Sequence, residues 1–312
     1  MQGDSGVDTS GASPGLIGAI EAGGTKFICA LARTDGTIVA RTRIDTRTPG
    51  ECFPEVAAFF RDSTATHGAI GAFGVASFGP IEIDPASPDY GMFTTTPKPG
   101  WQGARFADLL APFGAPWVVD TDVNGAALGE WLKGAGQGAR TLAYTTIGTG
   151  VGTGVLHHGQ SMMGFSHYEM GHIHPGHDKV ADPFPGWCPY HGDCLEGLVA
   201  GPAIISRWGT SLDQLAGDAD KIDLIGGYIA DLAADLVLMH MPDRLIFGGG
   251  VMKAPGLVEA VRRRTLARLN GYISHPRLDA GLETYLVTPG LGDDAGITGA
   301  IALGISALNG QR

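Results

Sequence analysis

Twice along this chain an apolar strand pair turns on glycine, once near the start and once near the middle, and no other pattern in it narrows the choice of fold as far. Ile17 to Glu21 and Lys26 to Leu31 flank Ala22-Gly23-Gly24-Thr25, and Leu142 to Leu156 turns on Gly148-Thr149-Gly150. Alternating apolar residues broken by glycine predict a hairpin in each place. Glycine takes positive φ without strain and puts no side chain between amide N–H groups and a phosphate oxygen, and the Thr hydroxyls add donors. Either hairpin taken alone is equally an ordinary glycine turn. One in each half of a 312-residue chain predicts a duplicated α/β architecture with a cleft between two lobes, a layout that suits nucleotides.

Between the hairpins the sequence predicts a helix from Phe53 to about His67, strands around Ala69 to Ser77 and Pro116 to Asp120, and a helix from Val123 to Lys133. An irregular stretch crowded with His, Cys, Pro and Gly runs from His157 to Cys194. Helical periodicity returns from Asp223 to His240, with Ile225, Ile229, Leu232, Leu236 and Met239 on one face. A strand from Arg244 to Phe247, the turn Gly248-Gly249-Gly250, a basic helix from Pro255 to Asn270 and an Ala-rich helix from Ala295 to Leu308 complete the order. The first fifteen residues are small and polar and read as a tail.

Several classes of protein are set aside by what the sequence lacks. No Lys follows a Gly, so the phosphate-binding motif G-x-x-x-x-G-K-[ST] is absent. Gly150-Val151-Gly152-Thr153-Gly154 lies inside a hairpin with the wrong spacing for a dinucleotide fingerprint. Gly11-Ala12-Ser13-Pro14-Gly15 matches the nucleophile pattern G-x-S-x-G but has no strand before it and no helix after it. With 21 Lys and Arg against 32 Asp and Glu the net charge is −11, and no basic face offers itself to nucleic acid. An anionic nucleotide would therefore be held by backbone amides, helix ends and a metal ion. No run of 18 apolar residues suggests a membrane span, and four Cys without an export signal read as reduced thiols, which places the protein in the cytoplasm. The 50 glycines fall in short clusters within apolar runs, as backbone placed close to ligands would.

His172, Cys188, His191 and Cys194 give the spacing H-x15-C-x2-H-x2-C, four donors that suit a closed structural zinc site. His172, His174 and His177 form a competing set with an open position, and unrelated surface residues are the third reading. Asp122, which follows the strand PWVVDT and opens the next helix, reads on position alone as a helix cap.

The segments IEAGGTKFICAL, VVDTDVNGAALGEW and TTIGTGVGTGV, the tetrad Glu169-Met170-Gly171-His172, the Cys and His cluster ending CLEG, and LIFGGGV stand in the order found in the ROK family of sugar kinases. From about Ile17 to the C-terminus the chain resembles that family, and most of all its bacterial fructokinases. The resemblance implies an α/β, two-lobed actin-like ATPase fold of duplicated ribonuclease-H-like domains with an interlobe cleft and a zinc-bound loop. It divides the chain into a tail at 1–15, an N-terminal lobe at 16–121, a C-terminal lobe at 122–292 with the zinc loop at 172–194, and a C-terminal helix at 293–312 packing back on the first lobe. ATP and Mg²⁺ would occupy the cleft and Zn²⁺ would be structural.

The implied reaction phosphorylates the primary hydroxyl of a hexose, D-fructose to D-fructose 6-phosphate, with glucose, mannose and N-acetylhexosamines as alternatives within the family. Asp122 matches the general base, which takes the hydroxyl proton as that oxygen attacks the γ-phosphate. Glu21 stands where an acid helps hold Mg²⁺. Gly23, Gly24, Thr25, Lys26, Gly148, Thr149, Gly150, Gly152, Gly248, Gly249 and Gly250 match ATP- and phosphate-binding positions. Glu169, His172, Glu196, Gly79 and Pro80 match sugar-binding ones, with His172 giving one ring nitrogen to zinc and the other to a hydroxyl. Three departures stand out: Glu21 where many relatives have Asp, Thr121 where the family commonly has Asn, and His191 where many members have Cys. The expected partners are ATP and a small-molecule hexose, in a homodimer, with no nucleic acid and no membrane. The related sugar-responsive repressors carry an N-terminal helix-turn-helix, for which the residues before Ile17 give no sign, and a scaffold of the same fold would have no use for the acids around the zinc loop.

Overall fold

The computed structural model describes residues 15–215 and 217–310. Of the expected tail at 1–15 and of Gly11-Ala12-Ser13-Pro14-Gly15, only Gly15 is within the described residues. Among the described residues ten strands and nine α-helices follow in the order β1 (Leu16–Ala22), β2 (Lys26–Ala32), β3 (Ile38–Asp45), α1 (Pro49–His67), β4 (Ile70–Ser77), α2 (Phe106–Leu110), β5 (Trp117–Thr121), α3 (Asp122–Lys133), β6 (Thr141–Ile147), β7 (Val151–His157), β8 (Gln160–Ser161), α4 (Leu195–Val199), α5 (Gly201–Trp208), α6 (Ala219–His240), β9 (Arg244–Gly248), α7 (Leu257–Leu269), α8 (Pro276–Asp279), β10 (Leu286–Val287) and α9 (Ala295–Leu308).

The strands form two five-stranded mixed sheets, ordered β3-β2-β1-β4-β5 and β10-β9-β6-β7-β8. Read from the opposite edge, the second repeats the first: an antiparallel run of three strands, then two parallel additions beside the first strand of the run. The duplication therefore extends from the hairpins to the whole sheet order. The first lobe packs an aromatic core of Phe27, Phe60, Phe73, Phe93, Trp101 and Phe106, and the second a mainly aliphatic one built on Ile225, Ile229, Leu232 and Leu245 with Phe247 among them.

Two elements join the lobes. Helix α3 packs on β6 and β7 of the second sheet and on β4 and α9, and α9 packs on β1, β4 and β5 of the first sheet. Their crossing requires glycine, because a Cβ on Gly299 would stand 1.8 Å from the carbonyl oxygen of Gly125, and one on Gly129 2.2 Å from that of Ala295. Part of the glycine content thus serves close helix contact and not ligands.

Where observed elements differ from the expected ones, local chemistry accounts for it. Helix α1 starts at Pro49, four residues before Phe53, because Thr48 and Glu51 form a capping box and Pro49 takes the first helical position. Helix α6 starts at Ala219, where the Asp218 side chain accepts from the Lys221 amide at 3.2 Å. Strand β3 is an edge strand of alternating charge with only Ile44 buried, so it carries little apolar signal. Met239, expected on the buried face of α6, is 71% exposed together with Leu238 and Met241, because the last turn runs past the core. Among the described residues no helix is long and apolar enough to cross a membrane.

Candidate active site

Asp122 stands where the chain leaves the first sheet. The cap of α3 is Thr121, whose Oγ1 accepts from the Asn124 amide at 3.2 Å, so capping is not the role of Asp122. Asp120, two residues earlier, has both oxygens engaged: Oδ1 accepts from Thr121 N at 2.7 Å and Asn124 Nδ2 at 2.6 Å, and Oδ2 from Ser161 Oγ at 2.6 Å. Asp122 accepts at Oδ1 from the Val123 amide at 2.9 Å and lines the cleft. Burial pushes its carboxyl up to about 6, opposed by the Val123 amide and reinforced by the charge of Glu169. It is thus an acid that ionises close to neutral pH and has capacity left to accept a proton.

The cleft holds a cavity of about 370 Å³ lined by Glu21, Lys26, Asp122, Thr146, Gly248, Gly249, Asp293 and Gly296, among others. Of the expected nucleotide residues, Lys26, Gly248 and Gly249 line it, whereas Gly23, Gly24, Thr25, Gly148, Thr149, Gly150, Gly152 and Gly250 are not among its lining residues. Asp293, Gly296, Thr146 and Lys253 complete the wall, and the sequence reading missed them. The pair Asp293-Asp294 just before an Ala-rich helix was the available signal.

Glu21 Oε2 is buried with no hydrogen-bond partner, and burial together with the charge of Asp122 pushes this carboxyl up to about 7. Gly296, in the first turn of α9, makes room for it, because a Cβ there would fall 2.5 Å from Glu21 Cδ. Three carboxylates, Glu21, Asp122 and Asp293, thus line one cavity, and an unpartnered buried oxygen among them suits a hard divalent cation.

The expected sugar residues Gly79, Pro80, Glu169, His172 and Glu196 are not among the residues that line this cavity. Glu196 Oε2 accepts from the Val151 amide at 2.9 Å, which places this acid against the tip of the second hairpin and beside Gly150. Glu169 is exposed, precedes the 3₁₀ turn Met170–His172, and senses the charges of His167, His172 and Glu196. Gly79 and Pro80 follow β4, and the next amide, that of Ile81, donates to His167 Nε2 at 3.2 Å. His167 was not singled out from the sequence, which gave no sign that it meets Ile81.

His172, Cys188, His191 and Cys194 bring one donor atom each to within 4.8 Å of one another. His172 Nδ1 lies 3.5 Å from Cys194 Sγ and 3.8 Å from Cys188 Sγ, and His191 Nδ1 lies 3.7 Å from Cys188 Sγ. Tetrahedral zinc with bonds of about 2.3 Å to sulfur and about 2.0 Å to nitrogen separates S and N donors by roughly 3.5 Å, so the donor set fits that ion. His172 turns Nδ1 to the thiols, which leaves Nε2 on the far side of the ring. The competing set does not assemble. His177 is engaged by Asp193 Oδ2 at 3.0 Å and Asp182 O at 2.9 Å, and the His174 ring centre lies 6.4 Å from that of His191.

The model of the ROK family matches residues 17–307. The chain is 42% identical over 301 residues to the fructokinase of Zymomonas mobilis, covering 94% of this chain and 98% of that one. It is 42% identical over 298 residues to the fructokinase of Pediococcus pentosaceus, covering 94% and 99%. Among solved structures, the ROK hexokinase from Thermus thermophilus superimposes with a TM-score of 0.75 at 24% identity, covering 95% of this chain and 99% of that one. A ROK glucokinase from Streptomyces griseus, solved with glucose and AMPPNP, gives 0.72 at 22% identity, covering 93% and 99%. These two likenesses concern the fold.

Proposed function

The chain belongs to the ROK family, and on that premise we propose that it is an ATP-dependent hexose kinase whose preferred acceptor is D-fructose, converted to D-fructose 6-phosphate. The observation that carries the reading is Asp122: a carboxylate desolvated in the cleft and freed from capping by Thr121, lining the 370 Å³ cavity and near enough to Glu169 for its charge to act on it. In the proposed reaction Asp122 accepts the proton of the sugar's primary hydroxyl as that oxygen attacks the γ-phosphorus in line. The new bond joins the sugar oxygen to phosphorus, the bond to the β-phosphate oxygen breaks, and ADP leaves with that electron pair. Asp120 holds the start of α3 through Thr121 and Asn124 and so fixes where Asp122 stands.

Lys26, Gly248 and Gly249 take the nucleotide in this reading, and Glu169, Glu196 and His172 accept and donate to sugar hydroxyls. Glu21, aided by Asp293, would hold Mg²⁺, which when bound neutralises phosphate charge. Cys188, Cys194, His191 and His172 would hold zinc in a closed shell, a role that organises the 172–194 loop without activating water. The enzyme is taken as a homodimer of the reducing cytoplasm, where two thiols remain available to a metal; light scattering on the eluted protein tests the first point.

The deciding experiment is a panel of D-fructose, D-glucose, D-mannose and N-acetylhexosamines with Mg-ATP, followed by ADP release. D-fructose is expected to give the largest kcat/KM. ADP release that no hexose stimulates would leave a sugar-sensing protein as the better reading.

A further inference from the structure

The imidazole of His167 lies between the two lobes at the sugar end of the cleft. Its side chain is 6% exposed. Nε2 faces the backbone amide of Ile81 at 3.2 Å, and Nδ1 faces Glu169 Oε1 and Tyr168 O, each at 3.4 Å. The ring also packs on the turn before Ile81, since a Cβ on Gly79 would approach its Cε1 to 3.3 Å and its Nε2 to 3.4 Å. Ile81 belongs to the first lobe and Glu169 to the second, so one side chain touches the expected sugar residues of both.

The chemistry of the ring fixes its state. An amide N–H can only donate, so Nε2 must present its lone pair to Ile81 and the ring proton must reside on Nδ1. That proton faces the carbonyl of Tyr168, its hydrogen-bond partner at 3.4 Å, and Glu169 Oε1 lies beside the same nitrogen at 3.4 Å, where the charge of the carboxylate meets the ring. We infer that His167 is a positioning residue that acts through Glu169: as the Nδ1–H tautomer it ties the sugar-accepting carboxylate of the second lobe to the Gly79-Pro80-Ile81 turn of the first, and so sets the hexose pocket across the cleft. The inference rests on the reading of Glu169 as a hexose ligand. An exposed carboxylate with rotatable χ angles keeps a productive orientation for a sugar hydroxyl only if something holds it, and displacement by about 1 Å is enough to lose the benefit. The nucleotide cavity does not include His167 among its lining residues, so its effect belongs to the sugar.

Two substitutions separate the halves of the bridge. His167→Gln places a carbonyl oxygen near the position of Nε2 and can still accept from Ile81, but offers nothing at Nδ1. His167→Asn places an amide donor near Nδ1 and cannot reach Ile81. A bridge needs both ends, so each variant is expected to raise the D-fructose KM by about tenfold while the ATP KM stays within about twofold. A residue that only props the turn would be rescued by Gln. Wild-type D-fructose KM in His167→Gln, with the fold checked by circular dichroism, therefore overturns the inference. A double-mutant cycle supplies the second test, with D-fructose dissociation constants measured by calorimetry for Glu169→Gln, His167→Gln and the pair. Action through Glu169 predicts that His167→Gln costs affinity in the parent and close to nothing in the Glu169→Gln background. Full additivity also overturns it. The kinase reading is judged separately by the unsubstituted protein: if D-fructose does not stimulate its ADP release, that reading fails and this inference with it, whereas normal parental turnover confines any failure to His167.

Discussion

Glu196 accepts a hydrogen bond from the amide of Val151 at 2.9 Å, which ties the helix that follows the last thiol of the metal cluster to the tip of the second glycine hairpin. A single residue separates Glu196 from Cys194, and a single residue separates Val151 from Thr149. The loop at 172–194 is therefore not an appendage. It has one anchor at the cleft and a second on its far side, where Asp182 Oδ2 accepts from Tyr228 Oη at 2.6 Å and lies 3.2 Å from Arg207 Nη1.

Zinc removal should be read against those two anchors. Purified protein is expected to carry about one zinc per chain by metal analysis, and to lose it when Cys188 and Cys194 are both changed to Ser. Chelation frees His172 and loosens the segment between Glu169 and Glu196, so the D-fructose KM should rise about tenfold or more and return when zinc is added back. The Asp182 anchor needs no metal and keeps the loop from unfolding outright. The Glu196 to Val151 bond carries a smaller disturbance to the hairpin, so the ATP KM should move by about twofold to threefold. An unchanged sugar KM in zinc-free protein would make the loop a distant clip, and collapse of both affinities would mean that zinc supports the whole lobe.

Glu130 is fully buried, and its carboxylate accepts from three backbone amides: Ala135 at 2.7 Å, Gly290 at 2.9 Å and Leu291 at 2.8 Å. Replacing it by Ala takes the acceptor away from three part-buried amides, where a fully buried donor left unpaired would cost about 1–3 kcal/mol. Glu130→Ala should therefore lower the free energy of urea unfolding by ~3 kcal/mol or more, with Glu130→Gln intermediate because it keeps a single acceptor. Gly290 and Leu291 lead into Asp293 on the cavity wall, so the ATP KM of the surviving protein is expected to rise as well. A loss below about 1 kcal/mol in the Ala variant would show that water replaces the carboxylate there.

What the sequence discloses depends on how far apart the cooperating residues lie. The two hairpins declare themselves because alternation and a glycine turn are local, and Cys188, His191 and Cys194 because metal spacing within a loop is local too. Asp122 was visible as the residue between a strand and a helix, but whether it or Thr121 capped that helix is a matter of backbone geometry. Asp293 and Gly296 reach the cavity only because α9 returns to the first sheet across α3. The contacts of Asp182 with Tyr228 and of His167 with Ile81 span 46 and 86 residues, beyond the reach of any periodicity. Strand β3 was missed for the opposite reason: it is local but buries almost nothing.

The same desolvation that suits Asp122 to proton transfer should make it a liability for stability. Its folded pKa, about 6, lies above the ordinary 3.8, so the folded chain holds this proton more tightly than the unfolded one. The sign follows: the group favours folding most at pH below about 4, that contribution declines as pH rises toward 6, and above 6 the ionised carboxylate opposes folding by at most ~3 kcal/mol, less whatever cleft water returns. Asp122→Asn keeps an oxygen for the Val123 amide and removes the charge, so at pH 7 the variant should unfold at an equal or higher urea concentration than the parent. Activity must move the other way. Without a base, turnover of D-fructose should fall by about two to four powers of ten while sugar affinity stays near normal. In the parent, kcat/KM should drop about tenfold per pH unit below about 6, as Asp122 takes up its proton, and that limb should vanish from the residual activity of the variant. Near-normal turnover in Asp122→Asn, or an acid limb that survives the substitution, would remove Asp122 from the role of base and turn attention to Glu169.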